Sequence, residues 1–302
     1  MYNITKCPWI GGMRMKRVAA ALLLAVLLAL FGAAQAESAQ TITACGITVP
    51  ADATAIDFGD VLVTDVPALV AMLDQMPQLK TVDMYESSLS NADMDMLFDR
   101  YPQITFGWTF KVGDHVVRTD ITAFSTLHGS DPDPSHNEKQ FQYLRFCKGL
   151  KAIDVGHNST TDISWLTNFP ELKVLIIAIN RVEDISPLAE LTELEYIELF
   201  TNRFQDLTPL TGLTKLKDLN IKNTKVKDIS PLFEMTWLER LWLGTGWMKN
   251  VPEEQKKMLS EALPNCEIDW KNSPTDGTWR EHPRYFTIYE MFHGTEYIPF
   301  DE

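Results

Sequence analysis

A period of 22 residues in the middle of the chain constrains its fold more than any other feature. An apolar column recurs every 22 residues at Leu150, Leu172, Leu194, Leu216 and Leu238, and further apolar columns follow it three and five residues later. A short strand whose alternate side chains point to one side explains this L-x-x-L-x-L spacing. One such coil has no second face to cover it. The coils must therefore stack, and the repeat predicts a solenoid.

The rest of each repeat predicts how the chain returns to the next strand. A polar column and then an acidic column follow each strand, and their members are Asn158, Asn180, Asn202 and Thr224, then Asp162, Asp184, Asp206 and Asp228. An inward Asn side chain can bond the backbone groups that a sharp turn leaves unpaired. Twenty-two residues leave no room for a long helix in the segment that leads from one strand to the next. We therefore expect this segment, the return wall, which contains prolines, to be 3₁₀ or irregular.

The repeat at Leu172–Leu194 reads L-x-x-L-x-I-x-x-N-x-I-x-D-I-S-P-L-x-x-L-T-x-L. This pattern resembles the leucine-rich repeats of the bacterial internalin type, and the resemblance covers about residues 141–247. It implies an α/β fold, a right-handed leucine-rich-repeat solenoid with a parallel β-sheet on its concave face, and a role in binding partner proteins. The chain departs from the pattern where Thr224 and Gly246 replace Asn and where Trp165 replaces Pro.

Residues 1–36 have the composition of a secretory signal peptide. Basic residues precede an apolar run from Val18 to Phe31, and Ala34-Gln35-Ala36 supplies a small-residue cleavage site. The run is short for a helix that spans a bilayer. We expect a secreted, extracellular protein with no membrane attachment after cleavage. The alternative is an uncleaved anchor that keeps the chain at the cell envelope.

The flanks of the repeats predict helix-containing caps. We divide the chain into a signal peptide (1–36), an N-terminal cap with longer, helix-bearing repeats and a β-hairpin (37–140), the repeat array (141–247), and a C-terminal cap and tail (248–302). Helices are expected at 66–76, 91–100 and 252–263, and strands at 55–58, 79–84 and 266–270. The hairpin is expected over 106–117, and an aromatic helix over 285–293. Residues 129–138 and 272–277 are expected to be loops.

Charge and cysteine content exclude several classes of protein. The net charge is −14, and loss of residues 1–36 removes four basic residues and no acid, which changes it to −18. Such an acidic chain is unsuited to binding nucleic acid. Three cysteines remain after cleavage, so at least one is unpaired within the chain. The sequence does not decide whether Cys45 and Cys266 pair, and the repeat register places Cys147 in an interior apolar slot.

No motif of a known catalytic or metal site is present, and we predict no catalytic residue, metal or cofactor. Asp131, Asp133 and His136 could in principle hold a cation, but two adjacent prolines favour a solvated loop. The alternative is a hydrolase or glycan-processing enzyme with its site in the 113–138 loop and the caps. A purely structural envelope protein is a further alternative.

The candidate binding site lies on the concave face of the sheet, at strand positions that the core does not claim. Several of these positions carry apolar or aromatic residues with charges beside them. The predicted ligand-binding residues are Ile176, Tyr196, Glu198, Phe200, Lys222, Arg240 and Trp242. Contiguous exposed apolar surface usually marks a binding site, and aromatic residues with Arg are favoured anchors. We therefore expect a monomeric, non-enzymatic protein that binds a protein or peptide there, unless the chain's own C-terminal tail covers the patch.

Overall fold

The computed structural model describes residues 40–87, 89–126, 136–244, 251–270 and 277–300. The described part of the chain begins with an antiparallel pair, β1 (Thr41–Ala44) and β2 (Ile47–Pro50), which was not predicted from the sequence. Two β-α units and a strand follow: β3 (Ala55–Asp57), α1 (Val66–Leu73), β4 (Thr81–Asp83), α2 (Asn91–Arg100) and β5 (Thr105–Gly107). Strands β3, β4 and β5 form a parallel sheet. Helix α1 begins at an Asp65 cap and α2 at a Ser90 cap, as helix N-termini require.

The predicted hairpin is present, but it is shifted along the chain. It consists of β6 (Thr109–Val112) and β7 (His115–Arg118), and its turn lies at Gly113, where φ is +58°. Phe106 and Gly107, which the prediction placed in the hairpin, belong instead to β5 of the parallel sheet. The apolar alternation that continues from one strand into the next concealed this boundary.

A seven-stranded parallel sheet forms the centre of the molecule. Its strands are β8 (Ala123–Ser125), β9 (Ala152–Asp154), β10 (Val174–Ile176), β11 (Tyr196–Glu198), β12 (Asp218–Asn220), β13 (Arg240–Trp242) and β14 (Glu267–Asp269). Neighbouring strands from β9 to β13 pair in a register of 22 residues, so that Leu175 lies between Ile153 and Ile197. The leucine-rich-repeat solenoid is thereby confirmed. The sheet continues by one strand beyond each end of the predicted array, and the division at 141 and 247 stays a prediction.

The return wall is built from 3₁₀ helices, as expected. A short helix, α3 (Glu138–Phe141), and a first 3₁₀ turn (Gln142–Phe146) precede four 3₁₀ helices in successive repeats: Ser164–Asn168, Ser186–Glu190, Thr208–Leu210 and Ser230–Glu234. Each acidic side chain of the Asp column accepts a hydrogen bond of 2.8–3.0 Å from the backbone N–H two residues later. The Asp column therefore begins each 3₁₀ turn, a role that the sequence analysis did not assign.

The Asn column forms the expected ladder of inward side chains. Asn180 donates from Nδ2 to the carbonyl of Val155 in the preceding coil and to that of Ile177 in its own, and its Oδ1 accepts from Thr160 N–H. Asn202 repeats this pattern. The residue before each member of the polar column, which is Thr224 in the last case, has a positive φ of 54–57°, a conformation that β-branched side chains rarely adopt; these residues are His157, Ile179, Thr201 and Asn223.

Two helical units follow β13 in the described residues. Helix α4 (Glu253–Ala262) precedes β14, and these two elements lie 162 residues after α2 and β5. Helices α5 (Gly277–Arg280) and α6 (Pro283–Gly294) then lead into residues 295–300. One apolar core runs through the solenoid from Ile42 to Leu263, and a second apolar cluster lies on the other side of the central sheet.

Candidate functional site

The seven predicted ligand-binding residues lie together on the concave face, the side of the central sheet opposite the solenoid core. All seven are buried: Ile176, Tyr196, Glu198, Phe200, Lys222, Arg240 and Trp242 are each exposed by 9% or less. The expectation that this patch is open to solvent is wrong for this structure. Residues 277–300, here called the C-terminal segment, pack over it, and Ile288, Met291 and Phe292 join Tyr196 and Trp242 in one apolar cluster.

Trp279 of the C-terminal segment enters the centre of the concave face. Its indole N–H donates to Tyr196 Oη at 2.7 Å and to Glu198 Oε1 at 2.9 Å. Its ring lies 4.9 Å from that of Trp242, and the guanidinium carbon of Arg240 lies 4.4 Å from its centroid. Tyr196 Oη also donates to Glu198. We call this surrounding of Trp279 by Tyr196, Glu198, Arg240 and Trp242 the Trp279 slot.

A charged cluster lies beside the Trp279 slot. The fully buried Asp218 carboxylate accepts two hydrogen bonds from Arg240, at 3.0 and 2.9 Å, and one of 2.7 Å from Arg284 of the C-terminal segment. Arg284 also donates to Glu239. A bidentate arginine–carboxylate pair has both strength and directional specificity. The segment is thus held by polar contacts of defined geometry as well as by apolar packing.

The C-terminal segment also occupies the open edge of the sheet. The carbonyl of Thr295 accepts from Thr122 N–H and Ala123 N–H, both at 3.1 Å. One strand further on, the carbonyl of Thr122 accepts in the same way from Lys151 N–H and Ala152 N–H, at 2.9 and 3.2 Å. Thr295 therefore supplies the acceptor that a strand before β8 would supply. Unpaired edges of sheets invite other chains to pair with them, and this contact covers part of one.

Burial shifts the pKa of two acidic residues at this face, Asp154 and Glu198. Burial raises the pKa of Glu198, although hydrogen bonds from Tyr196 and Trp279 and the charges of Arg280 and Arg240 oppose the rise. Burial also raises the pKa of Asp154 to about 7, against a hydrogen bond from Gly156 N–H and with the negative charge of Glu198 adding to the shift. Enclosing these carboxylates disfavours their charged forms.

The end of the face near β14 carries a buried lysine and a buried amide. Lys222 Nζ lies 4.1 Å from the centroid of Trp242 and 3.7 Å from Asp269 Oδ1, so both a ring and a carboxylate stabilise its charge. Asn220 accepts from Lys222 N–H through Oδ1 at 3.2 Å. Its Nδ2 is buried and has no hydrogen-bond acceptor among the residues that the structure describes.

The alternative site in the 113–138 loop is only partly described. Asp131 and Asp133 lie outside the described residues. His136 is buried, its ring lies 5.3 Å from that of His115, and its Nδ1 has no hydrogen-bond partner within the described ranges. Cys147 fills the interior slot that the register predicted, and burial raises the pKa of its thiol far above the usual value, which disfavours the reactive thiolate. Cys45 and Cys266 are free thiols.

The sequence analysis missed the part of the site that the C-terminal segment contributes. Trp279 and Arg284 lie just before and at the start of the predicted aromatic helix, and no repeat marks them. A signal was nevertheless present. Ile288, Met291 and Phe292 follow helical spacing and form an apolar stripe, which requires a second surface to pack against.

Comparison with known proteins yields distant structural likenesses only. No family model matches the chain, and no curated protein matches it. Similar solved structures include an internalin C2 from Listeria monocytogenes (21% identity, 73% of this chain and 75% of that chain, TM-score 0.35). An internalin from the same organism has 22% identity over 68% of this chain and 58% of its own, with a TM-score of 0.38. A leucine-rich-repeat protein from Leptospira interrogans has 18% identity over 66% of this chain and 50% of its own, with a TM-score of 0.43.

At this distance the likenesses carry no function over to this chain. The repeat fold follows instead from the chain's own strand register, which is parallel and offset by 22 residues at each step from β9 to β13. Within the described parts of the chain, every helix is too short or too polar to cross a membrane.

Proposed function

We propose that this chain is a secreted, non-enzymatic protein-recognition scaffold whose concave face binds a peptide or protein segment, and that its own C-terminal segment occupies this face in the closed state. The leader-like residues 1–36 support secretion. The observation that carries the proposal is the Trp279 slot, in which a segment from outside the repeats is bound by tilted aromatic contacts and by hydrogen bonds to Tyr196 and Glu198.

The contacts of the Trp279 slot have the character of a recognition site. Binding hot spots are enriched in Trp, Tyr and Arg and lie in well-packed, desolvated pockets. Here Trp242, Tyr196 and Arg240 form the floor, and the side chain that enters is an aromatic one. A stacked solenoid presents these groups in a fixed arrangement, which lowers the entropic cost of binding. The ligand-binding role of the seven predicted residues is part of this proposal.

The test is exchange of the C-terminal segment. A specific protease site is introduced between residues 271 and 276 of the full chain, and the purified protein is then cut. A fluorescent synthetic peptide of residues 277–300 is added to the cut protein, and binding is followed by fluorescence anisotropy. We expect saturable binding as the labelled peptide replaces the cut segment. The matched Trp279→Ala peptide should bind at least about tenfold more weakly, since it lacks the central anchor.

Two results would contradict the proposal. The cut segment could stay bound and never exchange, or the circular dichroism of the repeat array could collapse once the segment is washed away. In either case the segment would be a permanent part of the core, and the concave face would not be a recognition surface.

A further inference from the structure

The C-terminal segment does not supply full hydrogen-bond or charge partners for two polar groups of the concave face. Asp154 is 3% exposed, and its carboxylate accepts from Gly156 N–H at 3.0 Å and from Ser125 Oγ at 3.2 Å. Both donors are neutral. Asn220 Nδ2 is buried without an acceptor among the described residues, which destabilises the closed arrangement. A fully complementary occupant would satisfy both groups.

The groups that face Asp154 come from several elements, and the nearest charges do not neutralise it. Ser125 and Gly156 donate from β8 and from the turn after β9, while Glu198 of β11 brings a second negative charge. Tyr285 of α6 packs against the apolar cluster of this face, and the guanidinium carbon of Arg280 lies 5.9 Å from the centroid of its ring. Burial raises the pKa of its phenol, the Arg280 guanidinium opposes the shift, and the carboxylates of Glu198 and Asp154 add to it. Within the described ranges no ion pair reaches Asp154, and the segment brings a phenol to this part of the face.

We propose that the external ligand of the concave face is a basic, aromatic peptide segment. Its aromatic side chain enters the Trp279 slot and donates to Glu198 as Trp279 does, its lysine or arginine replaces Tyr285 and reaches Asp154, and one of its carbonyl groups accepts from Asn220. This inference rests on the proposed function. A basic partner also suits the chain as a whole, because its net charge of −14 attracts cationic segments and raises their rate of encounter.

The same property explains why the segment can be replaced. Among the residues that the structure describes, Asp154 has no cationic partner and Asn220 Nδ2 has no acceptor, and each weakens the closed state relative to a ligand that satisfies them. The C-terminal segment has the advantage of being tethered, which raises its effective concentration at the face. A basic ligand therefore competes through better contacts, while the segment competes through proximity.

The test uses the cut full chain and three labelled peptides of residues 277–300. One has the native sequence, one carries Tyr285→Lys, and one carries Tyr285→Met as a neutral control of similar length. We expect the Tyr285→Lys peptide to bind about tenfold more tightly than the Tyr285→Met peptide at pH 8, through a charge-assisted contact with Asp154. On a cut chain carrying Asp154→Asn this advantage should disappear. It should also shrink as the pH is lowered far enough to protonate Asp154, because protonation removes the charge that the lysine contacts.

The outcomes separate this inference from the proposed function. If the native peptide exchanges but Tyr285→Lys binds no better than Tyr285→Met, the preference for a basic ligand is wrong and the recognition role stands. An equal gain on the wild-type and Asp154→Asn chains would overturn the assignment of Asp154 as the acceptor. If no peptide exchanges, the proposed function itself fails.

Discussion

The two faces of the central sheet are built from the same strands but follow different rules. On the interior face, the middle residue of each strand is apolar and fully buried at Ile153, Leu175, Ile197, Leu219 and Leu241. On the concave face, the next residue along is Asp154, Ile176, Glu198, Asn220 and Trp242 in successive strands. The interior repeats one chemistry, whereas the concave face changes its chemistry at every step.

This difference follows from what covers each face of the sheet. The interior face is covered by the next coil, so a single residue type at each register position satisfies every repeat. The concave face is covered by the C-terminal segment, which has no period, and each strand position meets a different partner: Glu198 meets Trp279, and Asp218 meets Arg284. We therefore expect the interior to dominate global stability and the concave face to determine mainly how tightly the segment is held.

The largest expected effect is on the interior. Leu219→Ala should lower the free energy of unfolding by about 2–5 kcal/mol, because it leaves a cavity between stacked coils. Denaturant titration followed by circular dichroism measures this. Leu62→Ala is the matched control, since Leu62 is 60% exposed and its loss should change the free energy of unfolding by less than about 0.5 kcal/mol. Equal effects of the two substitutions would refute the role assigned to the interior.

The next effect is on the concave face. Trp279→Ala should weaken docking of the C-terminal segment by about 2–4 kcal/mol, because it removes the central anchor. Hydrogen exchange measured by NMR should then show loss of protection in the segment and at the amides of Thr122 and Ala123, whose acceptor is Thr295.

The same experiment has an internal reference. The amide of Leu199, which bonds to Asn220 within the array, should keep its protection in the Trp279→Ala chain. If this amide exchanges as fast as those of Thr122 and Ala123, the two faces unfold as one cooperative unit and the distinction between them fails.

Much of the fold could be predicted from the sequence because stacking imposes a period. The register of the strands, the Asn ladder, the 3₁₀ wall and the slot of Cys147 all follow from which residues recur every 22 positions. The seven site residues were also assigned correctly to one face. Their cover could not be derived in the same way, because the position of Trp279 depends on non-repeating contacts, such as its hydrogen bond to Tyr196, which lies 83 positions away in the sequence.

A smaller effect is expected from the enclosed acid. Burial raises the pKa of Asp154 from 3.8 to about 7 in the folded chain, so the folded state holds a proton that the unfolded state has released between those values. The stability that this proton contributes is present below about pH 4 and is lost as the pH rises through about 7. Asp154→Asn, which cannot ionise, should therefore gain stability relative to the wild type over this range, by at least about 1.4 kcal/mol at pH 8.

Denaturant titrations of the two chains at pH 4.5 and pH 8 measure this difference. The two chains should be most alike at the lower pH, where Asp154 is protonated and as neutral as Asn. A gap that stays constant with pH, or that widens as the pH falls, would mean that Asp154 is charged throughout and that the concave face tolerates its charge.

The smallest effect comes from the position where the two faces meet. Ile179 has a φ of +55°, which costs a β-branched residue about 1–2 kcal/mol, whereas Asn223 takes the same conformation two repeats later and Asn tolerates it. Ile179 also packs against the apolar cluster under the C-terminal segment. Ile179→Asn should therefore relieve backbone strain but lose apolar packing. Because these effects oppose each other, the free energy of unfolding of the intact chain should change by close to zero.

In the Trp279→Ala background the packing partner of Ile179 is released, so only the relief of backbone strain is left. There Ile179→Asn should stabilise the array by up to about 1 kcal/mol. Thermal unfolding of the four chains measures both changes, and the same shift in both backgrounds would show that the segment does not pack on this residue.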